Sequence, residues 1–380
     1  MHDLLIAELL RDATQLTLAI GSNAVERIVD YDIAMRFALI GYGAWGRHHA
    51  HAIAALDPQA LATIACRNEA TAAAARHDFP EARVTRDWRE AIAADDVDVV
   101  DIVLPNHLHA DVACAALAAG KDVLLEKPMA TSRDDCDRIV AAERASGRIV
   151  SVGHEFRLST QWGRAKRLID DGTIGDPLFV GVDLFRNPYR TGAEGWRYDA
   201  SRVGSWMLEE TVHFFDFALW YLESRGDPLS IRAFGNQRGA RAAGQYDNVT
   251  ATVRFEAGAY ATITQTVAGF EHHLAVHVTG TEGAIRMAWS GAMDRDHHPV
   301  YQFSVQPKGF GFERGVREAV HESIAISGEV YELREQIRLT AEALRARRPL
   351  VASEEARKRV ICCVEAERSI RENRDVPLAF

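Results

Sequence analysis

The chain has 380 residues, a formal net charge of −10 and 47% hydrophobic residues. That length exceeds one ordinary core and predicts two domains. The acidic balance excludes an overall basic nucleic-acid footprint, and no apolar run approaches the roughly 20 residues of a membrane span, so neither nucleic acid nor membrane is an expected partner.

Residues 1–34 read as an N-terminal extension. They carry no basic n-region, twin arginine or small-residue cleavage site, so no signal peptide is expected. Leu4, Leu5, Ala7, Glu8, Leu9 and Leu10 fit one amphipathic helix. Two origins suit this segment: an upstream start codon ahead of a natural Met35, or an arm that packs on a partner subunit.

From Met35 to about Val152 short apolar runs alternate with Ala-rich helical stretches. The runs are "RFALI", "ALATIA", "DVVDIVL", "DVLLE" and "IVSVG". The helical stretches include Arg47–Leu56, Glu69–His77, Asp111–Ala119 and Asp134–Ala145. Strands alternating with helices predict a parallel sheet covered on both faces, here a first domain over 35–155. Gly120 suits a left-handed helix end, and Thr131 or Ser132 suits the next N-cap.

Residues 156–380 read as a second α/β domain. A helix near Gln161–Asp171 ends at Gly172, a strand follows at Leu178–Phe185, and a strongly apolar helix is predicted over Trp206–Leu222. Val249, Ala251, Val253 and Phe255 then alternate with Thr250, Thr252 and Arg254, and the run from Tyr260 alternates likewise. Period two with one polar face predicts an antiparallel sheet, with a tight turn at Glu256–Gly258. Helices return at Tyr331–Arg347 and Glu354–Arg371. Cys66, Cys114, Cys136, Cys362 and Cys363 are odd in number and include no C-x-x-C, which points to a reducing cytoplasm.

"GYGAWG" places Gly41, Gly43, Ala44, Trp45 and Gly46 in G-x-G-x-x-G spacing between a strand and a helix. Gly41 permits the tight turn, Gly43 lets backbone approach a pyrophosphate, and Gly46 lets the helix pack close to the strand. The helix start offers unpaired N–H groups to the phosphates. About 20 positions on, where an acidic residue would read the ribose of NAD, stand Cys66, Arg67 and Asn68. Nothing acidic repels a 2′-phosphate there and Arg67 is placed to pair with one, which leans the cofactor toward NADP over NAD. A solvated Arg67, or one stacked on the adenine of either cofactor, is the competing reading.

Glu126 and Lys127 fall at the carboxyl edge of the predicted sheet, where open α/β sheets bind ligands. A lysine there can donate to a reacting hydroxyl or carbonyl oxygen, with Glu126 placed to hold the ammonium. In "VGSWMLEETVHFFDFALWYL", Leu208, Val212, Phe215, Leu219 and Leu222 form a core stripe at helical spacing. Glu209, His213 and Asp216 form a neighbouring stripe. An imidazole on that face can act as general base, with Glu209 orienting the ring or bonding a substrate hydroxyl. Arg186, Tyr189, Arg190, Trp196, Arg197 and Tyr198 precede this helix and could pack on a sugar or grip an anion. Neither His48, His49 and His51 nor His272 and His273 have the geometry of a metal site, and no metal is expected.

With these motifs the sequence from Met35 onward resembles the glucose–fructose oxidoreductase/inositol dehydrogenase (Gfo/Idh/MocA) family. "GYGAWG", "LPNHLHADVACAALAAGKDVLLEKP", "VGHEFR", "IGDP", the Gly204-to-Asp216 stretch and "TGTEGAIRM" carry the likeness. The resemblance implies a Rossmann domain followed by an α/β domain with a large, mostly antiparallel open sheet. It implies NAD(P)-dependent oxidation or reduction of a sugar, polyol or related carbonyl compound, and a homodimer or homotetramer formed through that sheet. The family's E-K-P lysine falls on Lys127 and its proton-transferring histidine on His213, with Glu209 where most members have Asp. Leu104, Pro105, Asn106 and His109 fall on the segment lining the nicotinamide ribose, and His154 and Arg157 on the approach to the nicotinamide and substrate. Trp196 is a further substrate-contact candidate, and Glu155 stands where many members carry Asn.

Three functions follow from this reading: a dehydrogenase or reductase with exchanging cofactor, a redox-neutral sugar-modifying or glycoside-cleaving enzyme with tightly held cofactor, and a non-catalytic cofactor-sensing regulator.

Overall fold

The computed structural model describes residues 35–293, 296, 298–307, 319–325 and 328–380. The extension read over 1–34 lies outside the described residues.

The first half alternates as its apolar periodicity predicts. Its strands are β1 (Phe37–Ile40), β2 (Leu61–Ala65), β3 (Arg83–Thr85), β4 (Val99–Ile102), β5 (Asp122–Glu126) and β6 (Val150–Gly153). Between them run α1 (Ala44–Ala54), α2 (Glu69–Asp78), α3 (Trp88–Ile92), α4 (His109–Ala118) and α5 (Arg133–Ser146). The strands pair in parallel in the order β3-β2-β1-β4-β5-β6, the doubly wound dinucleotide-binding order. The order reverses at β1 and β4, which opens a crevice at their carboxyl ends. Ser132 caps α5 by accepting from Asp135 N, and Gly147 ends that helix in the left-handed conformation.

The second half supplies α6 (Trp162–Asp170), β7 (Pro177–Arg186), the short α7 (Ala200–Val203), α8 (Val212–Tyr221) and a run of strands. These are β8 (Pro228–Asn236), β9 (Asn248–Phe255), β10 (Tyr260–Thr266), β11 (His272–Gly280), β12 (Ala284–Gly291), β13 (Val300–Gln306) and β14 (Val320–His321). Then come α9 (Glu329–Arg345), α10 (Ser353–Glu372) and β15 (Val376–Pro377). Among the described residues the second sheet has the order β14-β13-β12-β11-β7-β10-β9-β8-β15, antiparallel except where β10 meets β7. The predicted alternation holds on β9, where Val249, Ala251, Val253 and Phe255 are buried. Gly258 turns the chain into β10 at φ 79°.

The apolar helix predicted over Trp206–Leu222 differs in detail. Met207–Thr211 forms a π turn, and only from Val212 does regular α geometry begin. The sequence there contains no Gly or Pro to announce the change, and Glu209 lies inside it. Such bulges occur often at functional sites.

Two apolar cores flank the parallel sheet. Phe37, Leu39, Ile64, Val99 and Leu124 point to one face with Ile53 of α1, and Leu333, Ile337, Ala341 and Leu344 of α9 complete that core. The alternate residues Ala38, Ile40, Val100, Ile102, Val123 and Leu125 join the core that continues under the second sheet. The second sheet keeps an open face carrying the exposed Phe234 and Tyr260. No helix among the described residues is long and apolar enough to cross a membrane. All five cysteines are free.

Candidate active site

The turn between β1 and α1 is built on steric necessity at two of its glycines. Gly41 adopts φ 108°, and a Cβ there would lie 2.1 Å from the carbonyl oxygen of Val103. A Cβ on Gly46 would lie 1.9 Å from the carbonyl oxygen of Gly41. Gly43 is different: a Cβ there meets nothing within 4 Å, so its backbone faces open space. Gly43 is also the N-cap of α1 and no side chain caps that helix. Open backbone beside uncapped amides fits a dinucleotide phosphate, whose charge the helix start favours.

Behind the turn, His49 of α1 is fully buried between two carboxylates. Its Nδ1 donates to Asp101 Oδ2 of β4 at 2.8 Å, and its Nε2 lies 3.2 Å from Glu126 Oε1 at the end of β5. Burial alone would lower the pKa of this imidazole, but Asp101 and then Glu126 overcome it and raise the pKa to about 10. Burial also raises the Asp101 pKa, only partly opposed by His49, but with Glu126 on its other side His49 favours the charged form. Glu126 stays ionised because, against burial, it bonds to His49 and lies near Lys127, and the Trp45 indole also bonds to it. Trp45 and Glu126, both expected at the cofactor, thus meet each other. Glu126 was expected to hold the Lys127 ammonium; its carboxylate instead engages His49.

Lys127 takes another partner. Its Nζ donates to the main-chain oxygen of Glu209 at 2.9 Å. Burial disfavours the ammonium, yet Glu209, Glu155, Glu210 and Glu126 outweigh that and raise its pKa. Lys127 is partly exposed, so the charge is reachable. The acceptor carbonyl belongs to the π turn that leads into His213, which brings the sheet-edge ammonium and the helix imidazole to one place.

His213 is packed rather than solvated. Phe156 stacks on it with ring centres 4.5 Å apart, and His154 meets it edge-on at 6.1 Å. Its Nε2 lies 4.0 Å from Glu155 Oε1, and its Nδ1 has no hydrogen-bond partner among the described residues. Burial, then Lys127 and His154, push its pKa well below the ordinary histidine value. A neutral imidazole beside an ammonium can accept a proton.

Glu209 was expected to orient that ring or meet a substrate. The structure turns its carboxylate away: Arg197 Nε donates to Oε1 at 2.6 Å and Asn106 Nδ2 to Oε2 at 3.3 Å. The π turn explains why four residues of spacing do not put Glu209 over His213. The carboxylate nearest the imidazole is Glu155, a residue flagged in the sequence only as a departure from the family pattern.

The remaining candidates fall around this centre. Asn106 also donates to the Val203 carbonyl at 3.0 Å. His109 is buried with Nδ1 2.7 Å from the Pro128 carbonyl oxygen and Nε2 2.9 Å from that of Leu104, so it ties the segment after β4, including Pro105, to the segment after Lys127. His154 is buried with its Nδ1 3.8 Å from Asp216, and burial pushes its pKa down to about 4. Arg157, expected at the substrate, grips Asp216 through two bonds of 2.9 and 2.6 Å, and Arg359 donates to the same carboxylate at 2.8 Å. Trp196 stacks under the Arg197 guanidinium at 4.7 Å, so it reaches the site through Arg197. Arg67, at the end of β2, pairs with Glu194 of the segment before α7.

Long-range partnerships such as His49 with Asp101 and Glu126 leave no local signal. Only the parallel register, which aligns the carboxyl ends of neighbouring strands, could have suggested them. Among the described residues no group of three His, Cys, Asp or Glu side chains could hold a metal ion.

Known proteins share this two-part architecture. Residues 35–154 match the model of an oxidoreductase family with an NAD-binding Rossmann fold, and 162–286 match the GFO/IDH/MocA C-terminal domain. Levoglucosan dehydrogenase of Pseudarthrobacter phenanthrenivorans is 30% identical over 285 residues, covering 66% of this chain and 73% of that protein. Inositol 2-dehydrogenase of Salmonella typhimurium is 32% identical over 200 residues, covering 50% of this chain but only 55% of that protein. Aldose-aldose oxidoreductase from Caulobacter crescentus, solved in complex with glycerol, shares the fold at a TM-score of 0.76 and 20% identity, over 90% of this chain and 99% of that one. With both halves of the family's architecture matched, and a levoglucosan dehydrogenase aligned across most of its length, the chain belongs to the Gfo/Idh/MocA family of oxidoreductases.

Proposed function

We propose that the chain is a cytoplasmic NAD(P)-dependent dehydrogenase or reductase acting on a secondary alcohol or ketone of a sugar, polyol or related small molecule. The observation that carries this reading is the Lys127–Glu209 bond, which ties the sheet-edge ammonium to the π turn leading into the helix of His213. The Gly41–Gly46 loop would hold the diphosphate, and Leu104, Pro105 and Asn106 would border the nicotinamide ribose. When bound, the nicotinamide supplies or accepts the hydride. In the oxidation direction His213 takes the hydroxyl proton while the Lys127 ammonium donates to the same oxygen, stabilising the negative charge that builds there. In reduction the imidazolium returns the proton. Phe156 against the ring excludes water from one side.

A screen of sugars and polyols with NAD and NADP, read by nicotinamide absorbance, tests this. Turnover of at least one polyol or sugar is expected, and failure of all of them with both cofactors would overturn it. A second reading, redox-neutral chemistry on a retained cofactor, is favoured by the Arg67–Glu194 pair, which ties the segment before α7 to the end of β2. Nicotinamide absorbance that survives purification, without net cofactor turnover, selects it. The open face of the second sheet, with Phe234 and Tyr260 60% and 44% exposed, suits packing against a second copy, in a homodimer or homotetramer. Light scattering reads that state directly.

A further inference from the structure

We propose that Glu194 supplies the carboxylate missing from the end of β2 and thereby sets the choice between NAD and NADP; the inference rests on the nicotinamide-dependent reading above. Of the three residues after β2, Cys66 is buried and Asn68 is occupied in capping α2, accepting from Thr71 N at 2.9 Å. Arg67 alone presents an exposed group, with its side chain 70% exposed, and its partner is Glu194, 127 residues away.

The backbone delivers Glu194 deliberately. Gly192 has φ 74°, Glu194 φ 56° and Gly195 φ 69°. A left-handed conformation is ordinary for glycine and uncommon for glutamate, and such outliers gather at functional sites. The short α7 that follows is pinned at its end by Asn106 Nδ2, which donates to the Val203 carbonyl. Arg67 follows β2 and Asn106 follows β4, and β1 with its glycine turn lies between those strands. The segment therefore crosses the mouth of the crevice, from the strand whose end reads the ribose to the strand at the switch point.

The carboxylate also lies 3.8 Å from Arg202 Nη2, so two guanidiniums flank it. In that position it accepts hydrogen bonds from ribose hydroxyls and neutralises Arg67. A 2′-phosphate would meet like charge and would have to displace Glu194 from both arginines. Without the carboxylate, Arg67 and Arg202 would be left as a phosphate-binding pair. The lean toward NADP drawn from Arg67 alone is thus countered from a distant part of the chain.

The test is titration of the full-length protein and of its Glu194→Gln and Glu194→Gly variants with NADH and NADPH, read by nucleotide fluorescence. Glycine keeps the left-handed backbone accessible, so the pair separates loss of charge from loss of loop shape. In both variants affinity for NADPH relative to NADH is expected to rise roughly tenfold or more. A ratio unchanged in both, including a parallel loss of affinity for the two nucleotides, would overturn the inference and leave the oxidoreductase reading standing. Absence of nicotinamide binding by the wild-type protein would overturn both.

Discussion

Lys127 Nζ donates at 2.9 Å to the main-chain oxygen of Glu209, four residues before His213 in the chain. The Lys127 ammonium is thereby tied to the π turn that leads into the helix of His213, although the two groups proposed to share a substrate oxygen come from separate halves of the sequence. Lys127→Ala and His213→Ala should each lower kcat by about 10²- to 10⁴-fold. Nicotinamide nucleotide affinity should change little. Steady-state kinetics with a binding titration checks both, and unimpaired turnover in the two variants would remove the assignment.

The buried cation at His49 makes a stability prediction. Its pKa is raised to about 10 from 6.5, so its contribution is complete below pH 6.5 and is lost as the pH rises toward 10. His49→Gln leaves Asp101 and Glu126 without their counter-charge and should cost about 3–5 kcal/mol. Adding Asp101→Asn should recover part of the loss, because one uncompensated carboxylate disappears. Urea denaturation of the single and double variants at pH 7 measures this.

His154 predicts the opposite slope. Its folded-state pKa lies near 4, below the ordinary 6.5, so the unfolded chain binds the proton first as the pH falls. Stability should decline between pH 6.5 and about 4, by roughly 3 kcal/mol from this residue. His154→Phe should flatten the decline over that window, as followed by denaturant midpoints across pH.

Glu367 of α10 shares the sign of His49 but acts in a lower pH window. Burial raises its pKa to about 7, only partly opposed by its bond to Ser205 and by Arg371, and one carboxyl oxygen has no hydrogen-bond partner. The folded protein then holds a proton that the unfolded chain releases near pH 4.5, so stability should fall as pH rises from 4.5 to about 7. Glu367→Gln removes that penalty and should stabilise the protein at pH 8 by about 1–3 kcal/mol. A thermal melt at pH 8 and pH 5 separates the two proteins, with a gain only at the higher pH.

The elements that could be read from the residues are those whose signal is local. "RFALI" followed by three spaced glycines changes its apolar period from strand to helix, and β1, its turn and α1 follow directly. Val249 to Phe255 alternate because one face of β9 is covered and the other is open. Short elements such as the three-residue β3 offer too few positions for a pattern. The π turn at Met207–Thr211 has the composition of ordinary helix, so nothing local distinguishes it. Long-range contacts mark the segment: Lys127 reaches the Glu209 carbonyl, and Arg197 and Asn106 hold its carboxylate. Lys127 and His213 were legible as chemistry, whereas the partners of Glu126, Glu209 and Arg67 depended on which distant segments fold against them.

Leu333, Ile337, Ala341 and Leu344 seal the flank of the nucleotide half from near the chain's far end. During synthesis, the strands β1 to β6 leave the ribosome with that flank open, and it stays open until α9 has emerged. Clipping the carboxyl-terminal helices would therefore unroof the glycine turn's own supporting core, so a protease acting at one end of the molecule silences chemistry encoded at the other.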